Sequence, residues 1–218
     1  ISQLLSIGYL VFLARWIGPE TYGIHVGIFN LCTISIFFVS WGLDTWLLKT
    51  TSNDQVSSTT VLKKVLLLKL GFGFIWAAVI FTIAPLLRPE IFLRDLLLLA
   101  IISTLSESLT NSIYTVLLTT DRFRQSSTIL LGGRLFRLLS LLGLSFLSVR
   151  DLNTIITSRT LIDFGVLLVA GGVFGLGFGG WRFGLSSLKQ TFTDSITYHA
   201  SDLVSIIFRQ VDVTLVTF

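Results

Sequence analysis

Charge is scarce in this chain. Asp, Glu, Lys and Arg make up only 13% of its 218 residues, about half the ~25% of a soluble domain. So few polar residues do not cover the surface of an ordinary water-soluble enzyme of this size. Methionine is absent altogether, and a chain without an initiator is expected to be a piece of a longer one. The single cysteine, Cys32, makes no internal disulfide and supplies no metal cluster. Large hydrophilic loops are missing as well: the longest, 179–190, holds no soluble domain. There is no G-x-S-x-G elbow and no phosphate-binding loop. His25 and His199 lie far apart, without a metal-ligand neighbour pattern. Nothing here asks for an enzyme, a metal or a cofactor.

What the chain does have is apolar length. Hydrophobic residues reach 52%, Phe alone accounts for 18, and the mean hydropathy is +0.84. Such a composition excludes a disordered chain, which needs low hydrophobicity and high charge. A helix needs ~20 apolar residues to cross the ~30 Å hydrocarbon layer. Segments of that kind run over about 1–17, 24–48, 61–87, 96–120, 126–149 and 154–178, and a seventh begins near Thr197. The breaks carry helix-stop chemistry. Gly18-Pro19 closes the first segment and Arg88-Pro89-Glu90 the third, since proline cannot continue a helix and restricts the residue before it. The expected class is an all-α, polytopic membrane protein.

Lys and Arg near the loops set the expected orientation. The even loops carry seven: Lys49, Lys63, Lys64, Arg122, Arg124, Arg182 and Lys189. The odd loops have four: Arg15, Arg88, Arg94 and Arg150. This bias puts the even loops and the start of the chain in the cytoplasm.

Charges inside the apolar segments carry most of the information, because each costs at least ~2.5 kcal/mol at the bilayer centre. After Arg137 about 12 residues remain before Arg150, or roughly 18 Å of helix, which is short of the bilayer. The fifth segment must therefore contain Arg134 and Arg137, which are three apart and share a helix face. A guanidinium is always charged and its fork fits phosphate oxygens. The preferred reading is a cationic patch in a wet cavity that meets an anionic group. Snorkelling to headgroups, or pairing with a buried carboxylate, is the structural alternative. Glu107 lies mid-segment among Ser103, Thr104, Ser106, Ser108 and Asn111. It either binds a coupling proton or Na⁺ or makes a helix-helix contact, including a pair with one of the arginines. Arg159 and Asp163, four apart, are read as a structural intrahelical pair near the outer end of the sixth segment. Arg209 and Asp212, three apart, are read with the same restraint. Trp41 and Trp46 flank Asp44 and are expected to form an interfacial belt, while Lys69 is expected to snorkel.

Two glycine patterns remain. Gly175, Gly177 and Gly180 fit G-x-G-x-x-G, but a dinucleotide site needs a strand before it, and here an apolar helix precedes it. Gly171, Gly175 and Gly179 fit a small-residue seam for close helix packing.

The run Leu13-Ala14-Arg15-Trp16-Ile17-Gly18-Pro19-Glu20-Thr21-Tyr22-Gly23 resembles the end of the first helix in bacterial polysaccharide exporters of the O-antigen flippase (Wzx) type. Trp41-Gly42-Leu43-Asp44-Thr45 is similar to that family's motif at the end of the second helix, and Arg209 with Asp212 to one early in the seventh. The resemblance makes Arg15, Gly18, Pro19, Gly23, Asp44, Arg209 and Asp212 motif positions; Arg134, Arg137 and Glu107 come from the residues alone. It implies the multidrug/oligosaccharidyl-lipid/polysaccharide exporter fold, two six-helix lobes around a cavity. Residues 1–189 would be the first lobe and 190–218 the start of the second. The implied activity is flipping a polyprenyl-pyrophosphate-linked oligosaccharide across the bacterial cytoplasmic (inner) membrane, with no cofactor and no nucleic acid. The implied partners are that lipid-linked sugar, the bilayer, and a polysaccharide polymerase with its chain-length regulator. A drug/cation antiporter of the same fold, or a membrane-embedded polymerase or glycosyltransferase, is the alternative.

The orientation is directly testable. Cysteines placed at Ser52 and Glu90, with Cys32 removed, should react with a membrane-impermeant maleimide from opposite sides, Ser52 from inside. Labelling of Ser52 from outside would reverse the sidedness of every charge above.

Overall fold

In the computed structural model, residues 2–52, 57–177, 181 and 183–199 are described, and no strand occurs among them. The helices are α1 (Ser2–Ile17), α2 (Pro19–Ser35), α3 (Phe37–Ser40), α4 (Leu43–Thr51), α5 (Ser58–Leu87), α6 (Arg94–Thr119), α7 (Phe123–Phe146) and α8 (Leu152–Phe174). A further helix, α9, covers 185–199. Among the described residues, five helical stretches are long and apolar enough to cross a membrane: Pro19–Ser40, Ser58–Leu87, Arg94–Thr119, Phe123–Phe146 and Leu152–Phe174. The apolar Gln3–Ile17 is shorter. The chain is thus an all-α, multi-pass membrane protein. The seventh segment, with Arg209 and Asp212, lies outside the described residues except for its first few positions.

Helix ends follow local chemistry. Gly18, at φ 84°, precedes α2, and Pro19 occupies its first turn, where a missing N–H costs nothing. Asp151 caps α8: its carboxylate accepts from the Thr154 backbone N–H at 3.0 Å and from the Thr154 hydroxyl at 2.9 Å. Those two bonds hold the carboxyl below its ordinary range. At its other end α8 stops on Gly175 (φ 75°). The Leu176 N–H returns to the Gly171 carbonyl at 2.9 Å and the Gly175 N–H to that of Gly172 at 3.0 Å. This is a Schellman stop. It corrects the packing-seam reading of Gly171 and Gly175. A Cβ at Gly175 would meet nothing within 4 Å, and at Gly171 only the side chain of nearby Leu176 at 3.7 Å.

Helix α6 is the hub, with α2, α4, α5, α7 and α8 all packed on it. Water-driven apolar association is lost in lipid, so close packing and polar contacts hold such a bundle. Ile28, Cys32, Trp76, Leu97, Ala100 and Ile156 fill one core layer, and Leu43, Leu62, Val65, Ile113 and Leu117 another. Tyr9, Leu13, Leu141 and Ile155 seat α1 against α7 and α8. Hydrogen bonds cross between helices: Trp76 donates to the Ser35 hydroxyl at 2.9 Å and Thr160 to the Leu99 carbonyl at 3.0 Å.

The apolar run 24–48 reads as one uninterrupted segment, but the backbone breaks inside it. Trp41 (φ 39°) and Gly42 (φ 72°) are successive left-handed residues separating α3 from α4. Helix α9 covers this break. His199 stacks on Phe37 at 4.1 Å and on Trp41 at 4.6 Å, and Phe192 packs on Phe72 at 5.2 Å between ring centroids. Trp41 is therefore part of an internal aromatic stack and not a belt residue, and Trp46 packs against the second core layer. Only glycine fits at position 42. A Cβ there would come within 2.5 Å of the Ser195 carbonyl oxygen and 2.7 Å of the His199 nitrogen.

Gly42→Ala should thus lower stability by at least ~1–2 kcal/mol, the cost of a left-handed non-glycine residue alone. The melting temperature in detergent, followed by fluorescence-detected size exclusion, should fall by several degrees. An unchanged value would mean that α9 does not press on the break.

Candidate functional site

Four ionisable residues from three apolar helices meet in one cluster. Arg137 of α7 donates through Nε to Asp163 Oδ1 of α8 at 2.6 Å, and its Nη2 lies 3.4 Å from Glu107 Oε2 of α6. Arg159, one turn from Asp163, reaches Asp163 Oδ2 only at 3.8 Å and lies over the Phe29 ring at 3.7 Å. The Ser103 hydroxyl donates to Asp163 Oδ2. Asp163 is almost fully enclosed, while the Glu107 side chain keeps 44% of its exposure. Each member lies at least ten residues inside its helix, apart from Arg159, so about 15 Å or more from the helix start.

These contacts correct one expectation. Asp163 sits midway along α8, and its shortest bond goes to Arg137, so Arg159 and Asp163 are not a self-contained pair near an end. Three helices share the carboxylate instead.

Arg134, one turn from Arg137, lines a cavity of about 280 Å³ with Glu107, Asn111, Tyr114 and Arg137. It also lines a smaller one, about 160 Å³, with Tyr9 and Arg159. Both arginines lie inside α7, as the length argument requires. Arg137 is committed to two carboxylates, whereas no carboxylate among the described residues is in ion-pair contact with Arg134. Three guanidinium groups thus face two carboxylates, and the surplus positive charge lies on Arg134.

A second polar cluster explains Asp44. Lys69 of α5 is completely buried and donates to Asp44 Oδ2 at 2.7 Å, to the Ser108 carbonyl at 3.1 Å and to its hydroxyl at 3.2 Å. Ser112 donates to Asp44 Oδ1 at 2.6 Å. Lys69 therefore does not snorkel: an inward partner is closer than the headgroups. Asp44 lies in the first turn of α4, where the helix dipole favours a carboxylate. The pair ties α4 to α5 and α6.

Of the other motif positions, Gly18 and Pro19 shape the backbone. Arg15 is in the last turn of α1, and Gly18-Pro19 turn the chain into α2 with the Tyr22 N–H bonded to the Gly18 carbonyl at 3.1 Å. Gly23 is exposed on α2, with no atom within 4 Å of a built Cβ. Arg209 and Asp212 lie outside the described residues. Sequence reasoning missed the partnership of Lys69 with Asp44. Its only signal was an opposite charge on the neighbouring segment. It also missed His25, which is buried against Phe29 at 4.7 Å with neither ring nitrogen bonded. No group of three or more His, Cys, Asp or Glu placed to hold a metal occurs among the described residues.

Fold and site together define a multi-pass helical membrane protein with a charged cleft between its spans. Residues 1–218 match the model of the family described as polysaccharide biosynthesis protein, and the chain belongs to that family. No curated protein and no solved structure matches it.

The Lys69 pair yields a sharp prediction. Lys69→Met or Asp44→Asn alone leaves the other charge without its partner, a loss below the ~3–5 kcal/mol of a fully buried pair because Asp44 keeps part of its exposure. Each should strongly reduce folded protein in the membrane, and the double variant should recover much of it. Equal loss in the single and double variants would show that the two charges do not act as a pair.

Proposed function

We propose that this chain is the first lobe, 1–189, and the start of the second lobe of an exporter. The exporter moves a polyprenyl-pyrophosphate-linked oligosaccharide across the bacterial inner membrane, with its start in the cytoplasm. The observation that carries this reading is the surplus guanidinium of Arg134 in a polar cleft midway along the apolar helix α7. Membership of a polysaccharide biosynthesis family supports it. A sugar hydroxyl taken from water into hydrocarbon without a partner costs ~4 kcal/mol or more. An oligosaccharide with on the order of ten hydroxyls then faces tens of kcal/mol, which blocks unassisted flipping. A wet cleft between helices removes most of that barrier for the sugar head, while the polyprenyl tail stays out of water. The pyrophosphate needs a cationic host, and Arg134 is available while Arg137 is engaged. We assign Arg137 to holding the cleft together, and to contacting the anion only if Glu107 releases it.

Glu107 is the cleft's exposed carboxylate and its bond to Arg137 is long at 3.4 Å, which suits a group that exchanges partners with a coupling H⁺ or Na⁺. Alternating access by rocking of two lobes completes the cycle. A polymerase and its chain-length regulator are the partners such an exporter supplies.

The two arginines should separate in an export assay run in cells lacking their own exporter. Arg134→Gln in the natural protein should cut glycan export roughly tenfold or more at unchanged membrane abundance, the effect of losing ~1.5–3 kcal/mol from a charged hydrogen bond. Arg134→Lys should recover only part, since it keeps charge but not the fork. Arg137→Gln should lower abundance itself. Full export by Arg134→Gln would sink the reading.

A further inference from the structure

Behind the charged cleft lies an apolar groove that the reading above does not use. It has a volume of about 710 Å³ and runs between α7 and α8, within the ~300–1,000 Å³ of sites that take small molecules. On α7 its floor is one row of residues at four-residue spacing: Arg124, Thr128, Gly132 and Phe136, which places them along a single helix face. Across from them α8 offers Ile162, Gly165, Val169 and Val173. From Arg124 to Phe136 the row covers roughly 18 Å of helix axis, enough to pass from headgroup level beyond the middle of a ~30 Å hydrocarbon layer.

We infer that this groove seats the isoprenoid chain of a polyprenyl phosphate as it loads, with the phosphate at Arg124 before it passes to Arg134. The inference rests on the exporter reading and adds where the substrate's tail is held. Three observations carry it. First, charge complementarity: Arg124 stands at the mouth of an otherwise apolar channel and makes no ion pair with any described residue, and Arg122 is next to it in the preceding turn. Gln125 and Thr128 add polar atoms at the same end and none line the deep end at Phe136 and Ile162. That gradient is the gradient of an anionic lipid. Secondly, shape: Gly132 and Gly165 leave recesses in opposite walls, since a Cβ at either would meet nothing within 4 Å. A chain bearing a methyl branch on every isoprene unit fills such recesses, whereas a straight acyl chain leaves them empty. Thirdly, continuity: Ile129, Gly133 and Val166 line both the groove and the charged cleft. Gly133 and Val166 are in close contact, with a built Cβ 3.1 Å from the Val166 methyl. The wall between the two cavities is therefore one residue thick, and a chain held in the groove runs alongside the cleft. The mouth lies at the loop that the basic-residue bias places in the cytoplasm, the side on which such a substrate would be loaded.

The glycines make the groove testable, because both line it and a Cβ at 132 or 165 meets nothing within 4 Å. The probe is a polyprenyl phosphate carrying a diazirine in its chain and no sugar, offered to the natural protein in phosphatidylcholine nanodiscs. Photolabel should map to peptides containing 124–136 and 162–173. Gly132→Leu and Gly165→Leu, on different helices, should each reduce it by roughly fivefold or more, the loss from displacing one or two methylene-sized groups. Arg124→Gln should reduce capture of the phosphate probe by roughly fivefold and leave capture of the uncharged polyprenol probe unchanged. Labelling unaltered by both leucine variants would overturn the proposal. So would equal capture of a diazirine phosphatidylglycerol that competes with the polyprenyl phosphate, which would make the groove a seat for ordinary membrane lipid. Label-independent crosslinking of two copies through these peptides would assign the face to a dimer instead. Since the probe carries no glycan and is not transported, capture in a protein that exports nothing would sink the exporter reading and keep the groove. Export by a protein without groove capture would do the reverse.

Discussion

A charge carried into the hydrocarbon layer must find a partner inside the protein, and the arrangement of this bundle depends on that requirement. Each lone charge at mid-depth costs ~2.5–3.5 kcal/mol even on the mildest scale, comparable with a large share of a domain's net stability. The chain meets the demand in two different ways. At Lys69 the account closes: one ammonium, one carboxylate and two serines leave no charge over. Around Arg137 it does not close among the described residues, because Arg159 and Arg134 outnumber the remaining carboxylate. A neutral cluster is what a structural pin requires. An unbalanced one is tolerated only where water solvates the surplus charge or an anion neutralises it, and that difference separates a pin from a site.

Helix α6 links the two clusters. Ser108 and Ser112 face the Lys69 pair, while Ser103 and Glu107 face Arg137 and Asp163. Its serines and Glu107 are therefore not one polar patch, as they read in sequence, but two patches on different faces of one rod. The broken segment before it fits the same logic. Irregular backbone is admissible at membrane depth only when protein covers it. Here α9 supplies the cover, with His199 stacked on Phe37 and Trp41. The break also starts a new helix at Leu43, which places Asp44 at a favourable N-terminus directly opposite Lys69.

Much of the helical plan was legible because it is local. Apolar length, Gly18-Pro19 and Arg88-Pro89 locate the helices within a few residues, and the shortness of the stretch after Arg137 was enough to place both arginines inside α7. Pairings were less legible because they are not local. Asp163 has a cation four residues away in sequence, yet its shortest bond is to one on another helix, 26 positions off. The snorkelling of Lys69 was the reasonable expectation for an isolated helix and failed because α4 delivers a carboxylate to it. Gly171 and Gly175 matched a packing seam by spacing alone, whereas their carbonyl and positive φ serve the end of their own helix. The break at Trp41 and Gly42 left one weak sign, a glycine within an apolar run. Its cause, the backbone of α9 lying against Gly42, is a contact between segments about 150 positions apart.

Helix α7 shows why its composition looks unfavourable when taken alone. It carries two mid-span arginines and an adjacent pair of glycines, each costly in a lipid-facing helix. In the bundle each has a use that depends on the other. Gly133 lets α8 approach closely at Val166, and that approach brings Asp163 within reach of Arg137. Gly132, one position back, turns its missing side chain the other way and opens the apolar groove. The same helix therefore has a wet, cationic side and a dry, recessed side, divided by the thickness of one glycine. A substrate that is itself divided into an anionic, sugar-bearing head and a branched hydrocarbon tail needs both surfaces at once. A soluble sugar would leave the groove without purpose, and a simple hydrophobic drug would leave Arg134 without one. The juxtaposition is thus more selective than either cavity, and it favours an amphiphile over the antiporter's cationic substrates.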